Sequence, residues 1–164
     1  MADEAEPRYG ADGRIIDYVP NACVDLGREF FHAVLSGEGA YIANKFCVDD
    51  AVAGFDCIAF PGYNTVDQYA TFMQGLTRQI CPDAKYEITC ICSNEQQVSV
   101  FASLSGTHTG EGGPVRPYDP PRKFKVDFAA FLSYDPYDKI THCHKVFDKY
   151  TLWAQLGWPL PGIE

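Results

Sequence analysis

Two short stretches of this chain hold the titratable groups best placed for chemistry. In Ser105-Gly106-Thr107-His108-Thr109-Gly110-Glu111, two glycines bracket a Thr-His-Thr core, so an imidazole sits where backbone can approach a ligand closely. In Lys139-Ile140-Thr141-His142-Cys143-His144-Lys145-Val146-Phe147-Asp148, alternation puts Ile140, His142, His144 and Val146 on one face of a strand. Thr141, Cys143, Lys145 and Phe147 fall on the other. Imidazoles titrate near neutral pH, and a pocket wall that carries them suits general acid/base chemistry. His108 reads either as such a group or as a structural residue tied to backbone through Thr107 and Thr109. His142 and His144 have a spacing that metal ligands use, but no third ligand stands at a diagnostic distance, so no metal is expected. Asp127 shares its face with Lys125, Ala129 and Phe131; it reads as a base of raised pKa or as the partner of a lysine across the sheet.

These groups need elements to hold them. Cys23, Leu26, Phe30, Phe31 and Val34 recur at helical spacing after a start signal at Pro20-Asn21, and Ser36-Gly37-Glu38-Gly39 stops that helix. Ala40 to Phe46 reads as a short second helix, and Phe55 to Phe60 as a strand closed by Pro61-Gly62. Thr65 is placed to cap a third helix through Tyr69, Phe72, Met73 and Ile80, ending before Pro82. Strands follow at Lys85 to Cys92, Gln97 to Ser105, Phe124 to Tyr134 and Ile140 to Asp148. Gly110 to Lys123, with four prolines and three glycines, is a long loop; Asp135-Pro136-Tyr137-Asp138 is a hairpin turn. Thr151 to Leu156 suits a final helical turn. Helices first and a meander of strands after predict one α+β domain over residues 19–164, preceded by a tail or arm over 1–18.

Composition bounds the partners. With 164 residues, 46% of them hydrophobic, the chain can bury a core of its own. A net charge of −9 argues against nucleic acid and anionic membrane surfaces, and no apolar run approaches the roughly 20 residues of a membrane span. The acidic start, Met1 to Pro7, lacks a secretory h-region, and the seven cysteines form no Cys-x-x-Cys pair. They read as reduced, buried thiols in a cytoplasmic protein. Eleven Phe and ten Tyr suit a pocket for a flat hydrophobic molecule, with Tyr63, Phe72, Phe101 and Phe131 as candidate lining. No phosphate loop, serine elbow or dinucleotide fingerprint appears, and no cofactor is expected.

The ordered set of motifs resembles the SnoaL-like polyketide cyclase and ester cyclase group of the NTF2-like superfamily. It runs from Phe30-Phe31-His32-Ala33-Val34-Leu35-Ser36-Gly37 through Cys81-Pro82-Asp83-Ala84-Lys85-Tyr86 and Gly106-Thr107-His108-Thr109-Gly110-Glu111. Asp138-Lys139-Ile140, Val146-Phe147-Asp148 and Gln155-Leu156-Gly157 complete it. The resemblance implies a cone: a curved antiparallel sheet wrapped around about three N-terminal helices, with a central pocket, often in dimers. In the cyclases the last strand resembles Lys-Ile-x-x-x-Trp-Asp-x-x-Asp, its first aspartate being the acid/base of ring closure. Here His144 and Lys145 occupy the Trp and Asp positions, and Asp148 matches the second aspartate. The expected reading is a cofactor-independent enzyme for cyclisation, isomerisation or dehydration of a hydrophobic carbonyl compound. His144 takes the missing acid/base role, with Lys145 turned away, and His108 and Asp148 orient it or the substrate. The alternative is a non-catalytic binding or assembly protein, and a homodimer through the open face of the sheet is expected in either case.

Overall fold

The computed structural model describes residues 8–9, 15–17, 22–49, 51–94 and 96–160. Most of the tail expected over 1–18, and the start signal at Pro20-Asn21, lie outside them. Strands β1 (Arg8–Tyr9) and β2 (Ile15–Asp17) pair antiparallel as a small ladder of their own.

Helix α1 (Ala22–Leu35) forms where the three- and four-residue spacing predicts, and it buries Cys23, Phe30, Phe31, Val34 and Leu35. Helix α2 (Ala40–Ala43) continues into a 3-10 turn at Asn44–Phe46. Helix α3 (Val66–Gly75) begins with a capping box: Thr65 Oγ1 accepts from the Gln68 amide, and Gln68 Oε1 accepts from the Thr65 amide, each at 3.2 Å. Its buried stripe is Val66, Tyr69, Ala70 and Met73, and a π turn at Leu76–Ile80 ends it before Pro82.

The sheet has the order β3-β7-β6-β5-β4, from strands β3 (Gly54–Asp56), β4 (Lys85–Ser93), β5 (Gln97–Thr107), β6 (Lys123–Tyr134) and β7 (Ile140–Phe147). β4 to β7 form the antiparallel meander. The edge strand β3 departs from expectation twice. It is parallel to β7, and it stops at Asp56, where a tight turn takes over with the Phe60 amide donating to the Cys57 carbonyl at 2.9 Å. Alternate residues of β6, from Phe124 to Tyr134, are buried between this sheet and the helices, with Val98, Val100, Ala102 and Leu104 of β5 beside them. Helix α4 (Lys149–Leu156) then packs on β6. It closes at Gly157, whose φ of 68° is the left-handed turn that glycine adopts without strain.

The register of β7 decides the chemistry. Ile140 faces Tyr134 across the ladder, but His142 faces Ser133, so Thr141 is one residue too many and forms a bulge. The bulge breaks the alternation read from sequence. Ile140, Cys143 and Lys145 are buried inside the cone, while His144 and Val146 are exposed on its outer face with His142 partly so.

Among the described residues no helix is long and apolar enough to cross a membrane. All seven cysteines are free; five are buried as expected, but Cys90 and Cys92 are exposed on β4. A second bulge, at Thr89, puts Cys90 opposite Phe101 of β5.

Candidate functional site

The inner face of β7 holds the one buried Lys, Arg, Asp or Glu side chain among the described residues. Lys145 is 5% exposed. Its Nζ donates to Tyr69 Oη at 2.9 Å, and Tyr69, 1% exposed on α3, is stacked on Phe55 of β3 with centroids 4.3 Å apart. Three rings surround the amine: Phe128 at 4.2 Å from its centroid, Tyr69 at 4.9 Å and Phe147 at 5.5 Å. Ring faces attract an ammonium but carry no net charge. Among the described residues Lys145 makes no ion pair. The nearby thiols give it no anion either, since burial pushes Cys143 up to about 12 and Cys57 upward too.

An ammonium taken out of water without a counter-ion loses protons more readily. Burial pulls Lys145 from 10.5 down to about 8. Roughly one molecule in ten therefore carries a neutral amine there at pH 7, against fewer than one in a thousand for an exposed lysine. Tyr69 moves the other way: burial holds its hydroxyl well above its ordinary value, so it stays a protonated phenol.

Lys145 lines two spaces. The inner one, enclosed by Phe60, Phe72, Leu104, Val126 and Phe128 among others, has a volume of about 20 Å³, enough for a single water. The outer one is a cleft of about 440 Å³ beside the β3–α3 turn, lined by Asp56, Ile58, Tyr63 and Asn64 among others. Phe60, like Lys145, belongs to the walls of both. That ring is wedged among Tyr63, Phe72 and Phe147, with centroids 4.8 to 5.5 Å away.

The structure separates the groups that the sequence suggested. His144, expected inside, stands on the outer face with its side chain 47% exposed, and Lys145, expected to turn away, is the inward residue. The Thr141 bulge is the cause. His142 and His144 meet on one carboxylate, His142 Nε2 on Asp56 Oδ2 and His144 Nδ1 on Asp56 Oδ1, because β3 runs alongside β7 with Asp56 opposite His144. Asp127 is exposed opposite Ser103 on the outer face and not buried among the apolar neighbours that the sequence suggested. Asp148 points at neither histidine nor cavity: it caps α4, accepting from the Thr151 amide at 3.2 Å and hydroxyl at 2.5 Å, bonds that hold its carboxyl below the ordinary range.

His108 is fully buried and lines neither of the two spaces that Lys145 lines. Its Nδ1 accepts from the Trp158 indole at 3.3 Å, and its amide donates to the Arg122 carbonyl at 2.9 Å. The glycine motif around it is structural. Thr107 gives both its amide and its hydroxyl to Asp83 at 2.7 Å, and a Cβ at Gly110 would stand 1.7 Å from the Gln79 carbonyl oxygen. Of the expected lining residues, Phe72 faces the inner cavity and Tyr63 the cleft, whereas Phe101 and Phe131 are 47% and 45% exposed on the outer face.

Tyr69 is the site residue that the sequence reading passed over. It sits in the apolar stripe of α3 and counts there as core. The available signal was an unpaired lysine on a strand with a tyrosine in the facing helix.

Residues 25–156 match the family model of the SnoaL-like polyketide cyclases. Solved structures share the fold at low identity. AclR of Streptomyces galilaeus, a proposed hydroxylase, is 19% identical with a TM-score of 0.67, over 87% of this chain and 84% of its own. IdmH of Streptomyces antibioticus, a proposed polyketide cyclase, is 21% identical with a TM-score of 0.64, over 84% and 99%. A protein of ketosteroid isomerase-like fold from Catenulispora acidiphila is 17% identical with a TM-score of 0.61, over 82% and 94%. No curated protein matches the chain.

Proposed function

We propose that this chain, which belongs to the SnoaL-like polyketide cyclase family, is a cofactor-independent enzyme that moves protons on a small carbonyl compound, with Lys145 rather than His144 as its acid/base. One observation carries this reading. At the position where the cyclases hold a carboxylate, a buried amine stands inside the cone, bonded to Tyr69 and to no anion. In its neutral form such an amine takes a proton from the carbon beside a carbonyl; as an ammonium it returns one to the product. Tyr69 fixes the direction of Nζ, and the apolar wall keeps bulk water from competing. Cyclisation, isomerisation and dehydration all need this step, and a substrate approaches by the cleft that Lys145 also lines, since the inner cavity has room for only one water.

The test is deuterium exchange into the methyl groups of acetone, followed by NMR. Exchange should be catalysed by the wild type, fall about a hundredfold in Lys145→Met, and rise with pH through about 8 as the amine loses its proton. Exchange that is unchanged in Lys145→Met would remove the amine from the mechanism.

A second reading, a non-catalytic binding or assembly protein, is favoured by the inner cavity's size of about 20 Å³ and by the apolar outer face. There Phe101, Phe131 and Val146 are each 45% to 47% exposed, a patch suited to a homodimer through the sheet.

A further inference from the structure

We propose that Lys145 is also a nucleophile, which captures a small aldehyde or unhindered ketone as an imine on Nζ. This rests on the reading of the Lys145 cavity as the reaction site and adds to it a covalent step that a carboxylate at this position could not perform.

Three features support it. The amine lies against a cavity of about 20 Å³ lined largely by apolar side chains. Imine formation releases water, so a dry site favours the product over hydrolysis. The nucleophile has no rival nearby, because the buried thiols Cys57 and Cys143 keep their protons. Finally, the Tyr69 hydroxyl, within 2.9 Å of Nζ, is a proton-bearing group beside the oxygen that must leave.

The step balances without a co-reactant. The Nζ lone pair attacks the carbonyl carbon, the C=O pair moves to oxygen, and a proton passes from nitrogen to that oxygen. Tyr69 O–H helps to protonate the resulting hydroxyl. It departs as water while nitrogen forms the C=N bond, which leaves a protonated imine beside the Tyr69 phenolate. The protonated imine draws electrons from the neighbouring C–H, and the phenolate takes that proton, which restores the phenol and leaves an enamine on Nζ. Carbonyl compounds would enter by the cleft of about 440 Å³, which shares Phe60 and Lys145 with the walls of the cavity.

The full chain is incubated with acetone at pH 8, reduced with sodium borohydride, and mapped by peptide mass spectrometry. The expected result is one isopropyl group, on Lys145, at least tenfold enriched over Lys125 and Lys149. It should be absent from Lys145→Met and several-fold more abundant in Phe60→Ala. Alkylation spread over exposed lysines with Lys145 spared, in both wild type and Phe60→Ala, overturns the proposal. The exchange experiment separates the two readings. Exchange that depends on Lys145 with nothing trapped sinks the nucleophile and leaves the base standing; absence of both sinks both.

Discussion

The two faces of β7 place similar groups in opposite physical situations. Outside, His142 and His144 share the Asp56 carboxylate, with side chains 43% to 51% exposed, where water and salt screen the attraction. Inside, Lys145 has three rings, one of them the neutral phenol of Tyr69, in place of an anion. The outer groups have a polar partner and water beside them, and little is at stake. The inner amine has poor complementarity, and its protonation is therefore set by the fold. Partial exposure makes an ion pair ordinary, whereas unbalanced burial makes a single charge chemically distinctive.

The largest effect that could break this contrast is on catalysis. Lys145→Met should lose about a hundredfold in ketone proton exchange, while His144→Ala stays within twofold of wild type by the same NMR measurement. Equal losses would mean that the outer face takes part.

Stability against pH gives the next largest effect. Between pH 8 and 10.5 the unfolded chain holds a proton on Lys145 that the folded chain has released, so this group's contribution to stability rises with pH across that window. The whole change is on the order of 3 kcal/mol for a fully buried group. Buried thiols act oppositely: Cys47, Cys81 and Cys143 keep their protons to about 12 while unfolded ones lose theirs near 9. Urea unfolding of wild type and Lys145→Met at each pH cancels the thiols. The difference should shift in favour of the wild type as pH rises from 8 to 10.5, and a flat difference would show that Lys145 is not desolvated.

Tyr69→Phe keeps the ring and removes the acceptor. It should cost about 1 kcal/mol in thermal unfolding and slow exchange less than Lys145→Met does. On the outer face, Phe131→Glu should convert a dimer to a monomer in light scattering without changing the inner amine's pH profile. The smallest effect belongs to Asp56→Asn, below about 1 kcal/mol in the same unfolding measurement.

How legible this was depended on the signal. The α3 cap is written in Thr65 and Gln68, three residues apart, and the α1 stripe in five spaced apolar side chains, so both elements could be read locally. The motif Gly106 to Gly110 was visible as special, but its reason is tertiary: Asp83 and Gln79 lie some two dozen or more positions upstream and meet it only in the folded chain. Lys145 faces the opposite way from expectation because a strand's faces follow from counting residues. One bulge at Thr141, which no residue type announces, inverts every assignment after it. The parallel pairing of β3 likewise depends on a partner more than eighty positions away.

That bulge also makes the strand ambiguous in a way selection can use. The same side chains, slid by one residue along β6, a distance of about 3.3 Å, would present two imidazoles to the cavity and leave the amine outside. Which side chains face the cavity is thus set by backbone register as much as by residue type.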